Sequence, residues 1–309
     1  MRKLIQLAKS ILNNNLQLNK MDQLLIVTDS ELMNIAEYFY QAGVEMGNET
    51  LLTKMITRSK SGEEPPTVVG EAMKSSDVVL CITKHSLTHT KARKQASLSG
   101  ARIATMPGIT LDMLQEGAIL ANYKEVEKLT YEYCELLDKG EQVTIIKEHT
   151  SLSFSIKGRK GIPSTGVFYE RGDSGNLPSG ESYIAPIEES ANGKIMIDGS
   201  ISGIGILNEA IVLTIKNGRL IEASGAKGKH LLELLGEGKG RTIAELGIGT
   251  NRSARLTGNV LEDEKVAGTV HIAFGSNKSF GGKTEAGVHI DCVIKEPKLY
   301  IDGKEIRTG

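Results

Sequence analysis

Apolar residues follow two different rhythms along the chain. Up to about residue 140, short apolar runs alternate with segments at helical spacing. "QLLIVT" reads as a strand, followed by Asp29-Ser30 as a helix cap and by "ELMNIAEYFYQAG" with apolar residues on one helical face. "ETLLTKMI" is the next strand, and Pro65-Pro66 open a helix through "TVVGEAMKS". "DVVLCIT" and "ARIATMPG" are two further strands, with "KARKQASLSG" between them as a helix ending on Gly100. "YKEVEKLTYEYCELLDKG" is a long amphipathic helix that closes this part at Gly140. Alternation of this kind predicts a parallel sheet covered by helices on both faces.

The remainder reads differently. "EQVTIIKE", "LSFSIKG", "KIMIDGS", "AIVLTIKNGRLI", "TVHIAFG", "VHIDCVI" and "KLYIDGKEI" are short strand-like runs separated by Gly, Asn and Asp turns, with one helix at "GKHLLELLGEG". Of the 34 glycines, 8 fall in residues 1–150 and 26 after them, as a turn-rich β region requires. Asn217-Gly218 supplies the positive φ angles of a two-residue hairpin. The fold expected is α/β: an N-terminal doubly wound parallel-sheet domain over residues 1–145, and a mainly antiparallel β domain over residues 146–309.

Composition narrows the function classes. With 37 basic and 38 acidic residues the net charge is −1, which gives no electrostatic case for nucleic acid or an anionic membrane. No apolar run approaches a membrane span. The N-terminal segment has helical apolar spacing that Gln6, Lys9 and Ser10 interrupt, unlike a signal peptide. Cys81, Cys134 and Cys292 are odd in number, far apart and set in apolar surroundings, so they read as reduced core residues of a cytoplasmic protein.

The chemistry concentrates in the β region. In "VHIDCVI", His289 and Asp291 lie on one face of a strand whose other face carries Val288, Ile290 and Cys292. His271 interrupts "GTVHIAFG", Glu245 interrupts "TIAELGIGTN", and Glu181 follows the turn "GNLPSG". Taken singly, each reads as a polar residue on a solvent-facing strand side. Taken together, His and carboxylate without thiolate form a ligand set for Zn, Mn, Co or Fe(II). Five ligands suit two ions sharing a bridging carboxylate better than one structural zinc.

At these residues the chain resembles a known family. "LPSGESYIAP", "IDGS", "AELGIGTN", "DEKVAGTVHIAFG", "GG" and "HID", in that order, resemble the thermophilic-type metallo-aminopeptidases, aminopeptidase T and aminopeptidase S. The resemblance covers the second domain and, more loosely, the first. It implies that two divalent metals are held by Glu181, Glu245, His271, His289 and Asp291. It further implies removal of N-terminal residues from small peptides by a metal-activated water, and a homodimer. Glu181 or Glu245 would serve as general base only where not fully coordinated. Two departures stand out. Lys278 stands where the peptidases carry a tyrosine, and no Tyr lies between His271 and Asp291. The interval between the two histidines is also shorter. The superfamily includes a mononuclear iron enzyme, 2,5-dihydroxypyridine dioxygenase, and His271, His289 and Asp291 would satisfy its two-His-one-carboxylate pattern. The alternatives to a hydrolase are therefore an Fe(II) ring-cleaving dioxygenase or a metal-binding relative without catalysis.

A second histidine pair lies in the first domain. His85 and His89 follow the strand "DVVLCIT", where ligands gather in open parallel sheets. They read as the solvated start of a helix beginning near Ser86, or as a substrate contact through His89. Similar "HT" dipeptides in the resembled family favour including His89 among the candidate catalytic residues. "FGGKT" lacks the glycine a phosphate-binding loop needs, since Asn277 occupies that position. "GEGKGR" reads as a helix termination, and "LEDEK" as a solvated acidic loop with Glu264 as a possible outer neighbour of the metals.

Overall fold

The computed structural model describes residues 2–309. They form two compact units: residues up to Tyr123 together with Gly166–Ser179, and Lys124–Thr165 together with Gly180–Gly309. The first unit holds a five-stranded parallel sheet in the order Thr50–Met55, Leu24–Asp29, Val78–Ile82, Arg102–Thr105, Ser174–Asn176. The chain steps outward to Thr50–Met55 and then back past its start to Val78–Ile82. Right-handed crossovers in opposite directions place the connecting helices on opposite faces, which makes the sheet doubly wound. The strands Leu24–Asp29 and Val78–Ile82 are buried throughout, which is why they read as unbroken apolar runs.

Asp29 does not cap the following helix. Its Oδ1 accepts from the Glu31 and Leu32 amides and its Oδ2 from the Lys84 amide, so it ties together the ends of two neighbouring strands. The helix itself spans Met33–Met46 and ends on Gly47 in the left-handed region, φ 86°.

The second unit contains two seven-stranded sheets. A shared core takes Phe154, Leu213 and Leu299 from one sheet and Leu246, Ile272, Phe274 and Ile294 from the other. The predicted hairpin joins Ile211–Lys216 to Arg219–Ala223, with Asn217 at φ 48° and Gly218 at φ 72°. A Cβ on Gly218 would fall 1.4 Å from the Glu188 carbonyl oxygen, so glycine is required there for space as well as for its backbone angle. The segment "KLYIDGKEI" is a hairpin within the chain, its strand Lys298–Ile301 pairing with Gln142–Lys147.

The division differs from a single cut at 145/146. The helix Tyr123–Lys139 contributes Tyr133 and Leu137 to the core of the second unit, so the units part at its start. Residues 166–179 belong to the first unit because Ser174–Asn176 supplies its last strand. All three cysteines are free and buried. No helix among the described residues is long and apolar enough to cross a membrane.

Candidate metal centre

Four adjacent antiparallel strands of the second unit carry the site: Glu181–Ile184, Ile243–Gly249, Thr269–Gly275 and His289–Lys295. Alternation assigns their side chains to two faces. Ile184, Leu246, Ile248, Val270, Ile272, Phe274, Ile290 and Cys292 enter the core. The opposite face carries Glu181, Glu245, His271, His289 and Asp291, interleaved with Gly247, Gly249, Ala273 and Gly275. The register pairs each small residue with a candidate ligand: Gly249 with Glu181, Gly247 with His271, Ala273 with Glu245 and Asp291, Gly275 with His289. Small residues leave the room that five large polar side chains need above one sheet. A Cβ on Gly247 would lie 2.1 Å from His271 Cε1 and Nε2. The imidazole therefore rests directly over the neighbouring strand.

The structure brings these five residues together. Glu181, Glu245 and His271 present one ligand atom each within 4.8 Å of one another, and so do Glu245, His289 and Asp291. Glu245 belongs to both groups and divides its oxygens between them. Its Oε1 lies 3.3 Å from His271 Nε2, and its Oε2 lies 3.4 Å from His289 Nε2. His271 Nε2 is also 3.5 Å from Glu181 Oε2, and His289 Nε2 is 3.3 Å from Asp291 Oδ1. His289 donates its Nδ1–H to the Ser276 carbonyl at 2.8 Å, which fixes the ring with Nε2 toward the carboxylates. Phe280 meets that ring edge-on at 5.9 Å and meets Tyr183 in the same manner at 5.4 Å. His271 is wholly buried, and Glu181, Glu245 and Asp291 are buried beside it, while the His289 side chain keeps 31% exposure.

The donor set fits divalent cations. Glu181 Oε2 is buried and takes no hydrogen bond, an arrangement that costs free energy unless a cation is bound there. The electrostatics agree. Burial disfavours a charged imidazole at His271, yet the hydrogen bond to Glu245 and the charges of Glu181 and Glu264 outweigh it and push the ring up to about 9. His289 is likewise raised well above the usual histidine value, against burial, by Asp291 and Glu245. Burial alone would raise Glu245, but hydrogen bonds from both imidazoles, and their charge, hold it far below the ordinary carboxylate range. Without metal, protons on the imidazoles stand where the cations would.

Cation uptake must therefore displace protons. Below about pH 9, His271 Nε2 carries a proton that competes with the metal, so affinity rises as pH rises toward that value. We expect an increase of about tenfold per pH unit for each proton displaced between about pH 7 and 9. Calorimetric Zn titrations in buffers of different ionisation enthalpy check this. Heats that do not depend on the buffer would contradict it.

Sequence reading gave Glu264 only as an outer neighbour in a solvated loop and missed Lys265 altogether. "LEDEK" is not a solvated loop. Val260–Asp263 is a short helix with Glu262 and Asp263 fully buried. Asp263 Oδ1 accepts from the Thr257 amide at 2.6 Å and Oδ2 from the Gly258 amide at 3.0 Å, while Glu262 accepts from the Arg255 amide at 3.1 Å. Backbone amides thus hold Asp263, and the Arg255 amide and side chain hold one oxygen of Glu262, in a turn from which Glu264 and Lys265 reach the ligands. Glu264 forms a third group with His271 and Asp291. Lys265 is fully buried, with Nζ 2.5 Å from Glu181 Oε1 and also paired with Glu264 Oε1. Burial pushes Glu264 up to about 8, with Glu181 and Asp291 adding to the rise against the opposing Lys265. Nothing in the hydropathy of the run signals this, because the burial arises from partners that are mostly backbone amides.

His89 does not stand in the first turn of a helix. The helix is Lys91–Leu98, capped by Thr90, whose side chain accepts from the Arg93 amide, so His89 is exposed in the preceding turn of the first unit. It belongs to none of the three groups. Lys278 is largely exposed and pairs with Glu285 at 3.0 Å.

Comparisons with known proteins agree with this architecture. The structure of 2,5-dihydroxypyridine dioxygenase from Pseudomonas putida KT2440 superposes with a TM-score of 0.83 at 16% identity, covering 100% of this chain and 96% of that one. Wild-type AmpT from Thermus thermophilus superposes with a TM-score of 0.71 at 18% identity, covering 100% and 98%. Identities this low establish the fold. In sequence, aminopeptidase AmpS of Bacillus subtilis (strain 168) is 26% identical over 180 residues, covering 50% of this chain and 43% of that protein. The chain thus matches less than half of that relative's length. The resemblance to the metallo-aminopeptidases holds at the level of sequence homology and fold. The model of one family, "NicX: 2,5-dihydroxypyridine 5,6-dioxygenase", matches residues 4–308, and the chain belongs to that family, a divergent branch of the fold it shares with AmpT.

Proposed function

We propose that this protein is a metal-dependent hydrolase of aminopeptidase type, with two divalent cations held by Glu181, Glu245 and His271 and by Glu245, His289 and Asp291. The observation that carries this reading is the division of Glu245, one oxygen toward each imidazole. A single carboxylate placed in this way suits a bridging ligand between two ions. The sequence similarity to AmpS supports it. When bound, such ions lower the pKa of water toward neutrality and polarise a carbonyl.

The chain's own residues supply the rest. His271, Glu181 and Asp291 are fixed in buried positions, and His289 is the ligand candidate nearest solvent. Glu245 and Glu181 are both assigned to the cations, Glu245 between the two rings and Glu181 beside His271. Glu264, with its raised proton affinity, is the carboxylate suited to take up a proton near neutral pH. The carboxylate excess favours a substrate carrying a free amine, and Phe280 and Tyr183 supply an apolar wall beside His289.

A second reading, an Fe(II) ring-cleaving dioxygenase, is favoured by the family match over nearly the whole chain. It needs His271, His289 and Asp291 about one ion. Asp291 joins each imidazole in a group, but no group contains both imidazoles. Metal analysis of protein purified without chelator distinguishes the readings. Two equivalents of Zn, Co or Mn, with hydrolysis of amino-acid amides that His289→Ala abolishes together with metal uptake, support the hydrolase. One equivalent of iron with oxygen consumption on a dihydroxypyridine supports the dioxygenase. Metal without turnover of either substrate supports the non-catalytic relative.

A further inference from the structure

We propose that Lys265 makes the two cation positions unequal, acting as a built-in competitor for Glu181 so that the position at Glu245, His289 and Asp291 fills first. This rests on the two-cation reading and goes beyond it, because it names the order of loading and the residue that sets it.

Four carboxylates meet at the centre: Glu181, Glu245, Glu264 and Asp291. Lys265 is the ammonium that reaches them, and it approaches from one side. Its Nζ takes Glu181 Oε1 at 2.5 Å and Glu264 Oε1, leaving Glu181 only Oε2 for a metal. Glu245, His289 and Asp291 make no such contact with it. Their group faces the more exposed side of the site and His289 is already oriented by Ser276. A cation entering between Glu181, Glu245 and His271 must sit beside a fixed positive charge that is shut off from bulk solvent, since the Lys265 side chain has no exposed surface. Like charges a few ångströms apart in such surroundings repel strongly. Asp291 is not a partner of Lys265, whose Nζ is held by Glu181 and Glu264, so the direct competition falls on the position that uses Glu181. Competition is therefore confined to one of the two positions.

Lys265 also compensates charge. With all four carboxyls ionised and the imidazoles neutral, the cluster and its ammonium carry −3 (−4 + 1), and the proton that Glu264 retains up to about pH 8 reduces this negative charge further before any metal arrives. Exchanging Lys265 for a neutral side chain of similar length removes the competitor and deepens the negative charge. Exchanging Glu264 for Gln does the reverse. It removes a carboxyl that can ionise and leaves Lys265 with Glu181 as its one carboxylate partner.

Equilibrium dialysis of the full-length protein against Mn²⁺, with free Mn²⁺ read by its electron paramagnetic resonance signal, tests the inference. The wild type is expected to bind one equivalent tightly and a second at least about tenfold more weakly. Lys265→Met is expected to tighten the second step about tenfold or more and leave the first within about twofold. Glu264→Gln is expected to weaken the second step alone. Two equal steps in the wild type, or a second step unmoved or weakened in Lys265→Met, overturn the inference while leaving two bound cations intact. Failure of the wild type to bind a second equivalent at any Mn²⁺ concentration overturns both the inference and the two-cation reading. Glu264→Gln keeps the buried lysine paired and so provides a readout should Lys265→Met fail to fold.

Discussion

Glu245→Gln is expected to lose both cations at once. The substitution keeps the shape of the side chain and its place in the strand Ile243–Gly249, but one oxygen becomes an amide nitrogen that donates and cannot ligate. His271 and His289 each face a different oxygen of this one carboxylate, at 3.3 and 3.4 Å. Whichever oxygen is replaced, the remaining amide oxygen is uncharged and a weak ligand. Each group falls to two good ligands, and the negative charge that both imidazoles answer is gone. Hydrolytic activity should drop on the order of a thousandfold or more, a loss typical of residues that act as one unit with their partners. Metal content should fall from two equivalents to well below one. The hydrophobic face of the strand is untouched, so far-ultraviolet dichroism should be retained. A Glu245→Gln protein that still held one ion tightly would show that the carboxylate serves a single position.

Gly247→Ala is expected to produce a more selective loss. The added methyl would stand 2.1 Å from two atoms of the His271 ring, far inside contact distance, and the ring is buried with no open direction. Either the imidazole rotates out of reach of Glu245 and Glu181, or the strands separate locally. Strain of this kind costs about 1–3 kcal/mol of stability. Displacement of a reactive group by about 1 Å costs about a hundredfold in rate. The three atoms nearest the new methyl all belong to His271, so one tightly held metal at Glu245, His289 and Asp291 should remain. Thermal melting, metal analysis and amide hydrolysis on one preparation check all three. Unchanged metal stoichiometry would mean that His271 is not a ligand.

Much of this centre is legible in the sequence, and the reason is physical. A strand buried on one face admits polar residues only at alternate positions, so His271, His289, Asp291 and Glu245 announce a common face once the apolar period is seen. The small residues between them, Gly247, Gly249, Ala273 and Gly275, were as visible, but their meaning depends on the register between strands, which no single strand reveals. The burial of the run around Glu264, and the part played by Lys265, were illegible for a different reason. An acidic run reads as solvated unless its partners are known, and here the partners are backbone amides at 257 and 258 and a carboxylate 84 residues earlier. The strand Ser174–Asn176 escaped notice because "SGN" has no apolar residue and is held by its backbone pairing with Arg102–Thr105. The helices and strands of the first unit, long and strongly periodic, appear close to where the pattern puts them.

The chain passes between the two units three times, after Tyr123, after Thr165 and after Ser179. Neither unit is therefore written as one uninterrupted stretch of gene. A fragment stopping at 123 lacks Ser174–Asn176 and leaves the edge of Arg102–Thr105 bare, which invites aggregation. A fragment starting at 146 loses the helix Tyr123–Lys139 from its core. Grafting the cation-binding half onto another scaffold would require both of its pieces, with a linker in place of the excursion that ends at Ser179, two residues before Glu181.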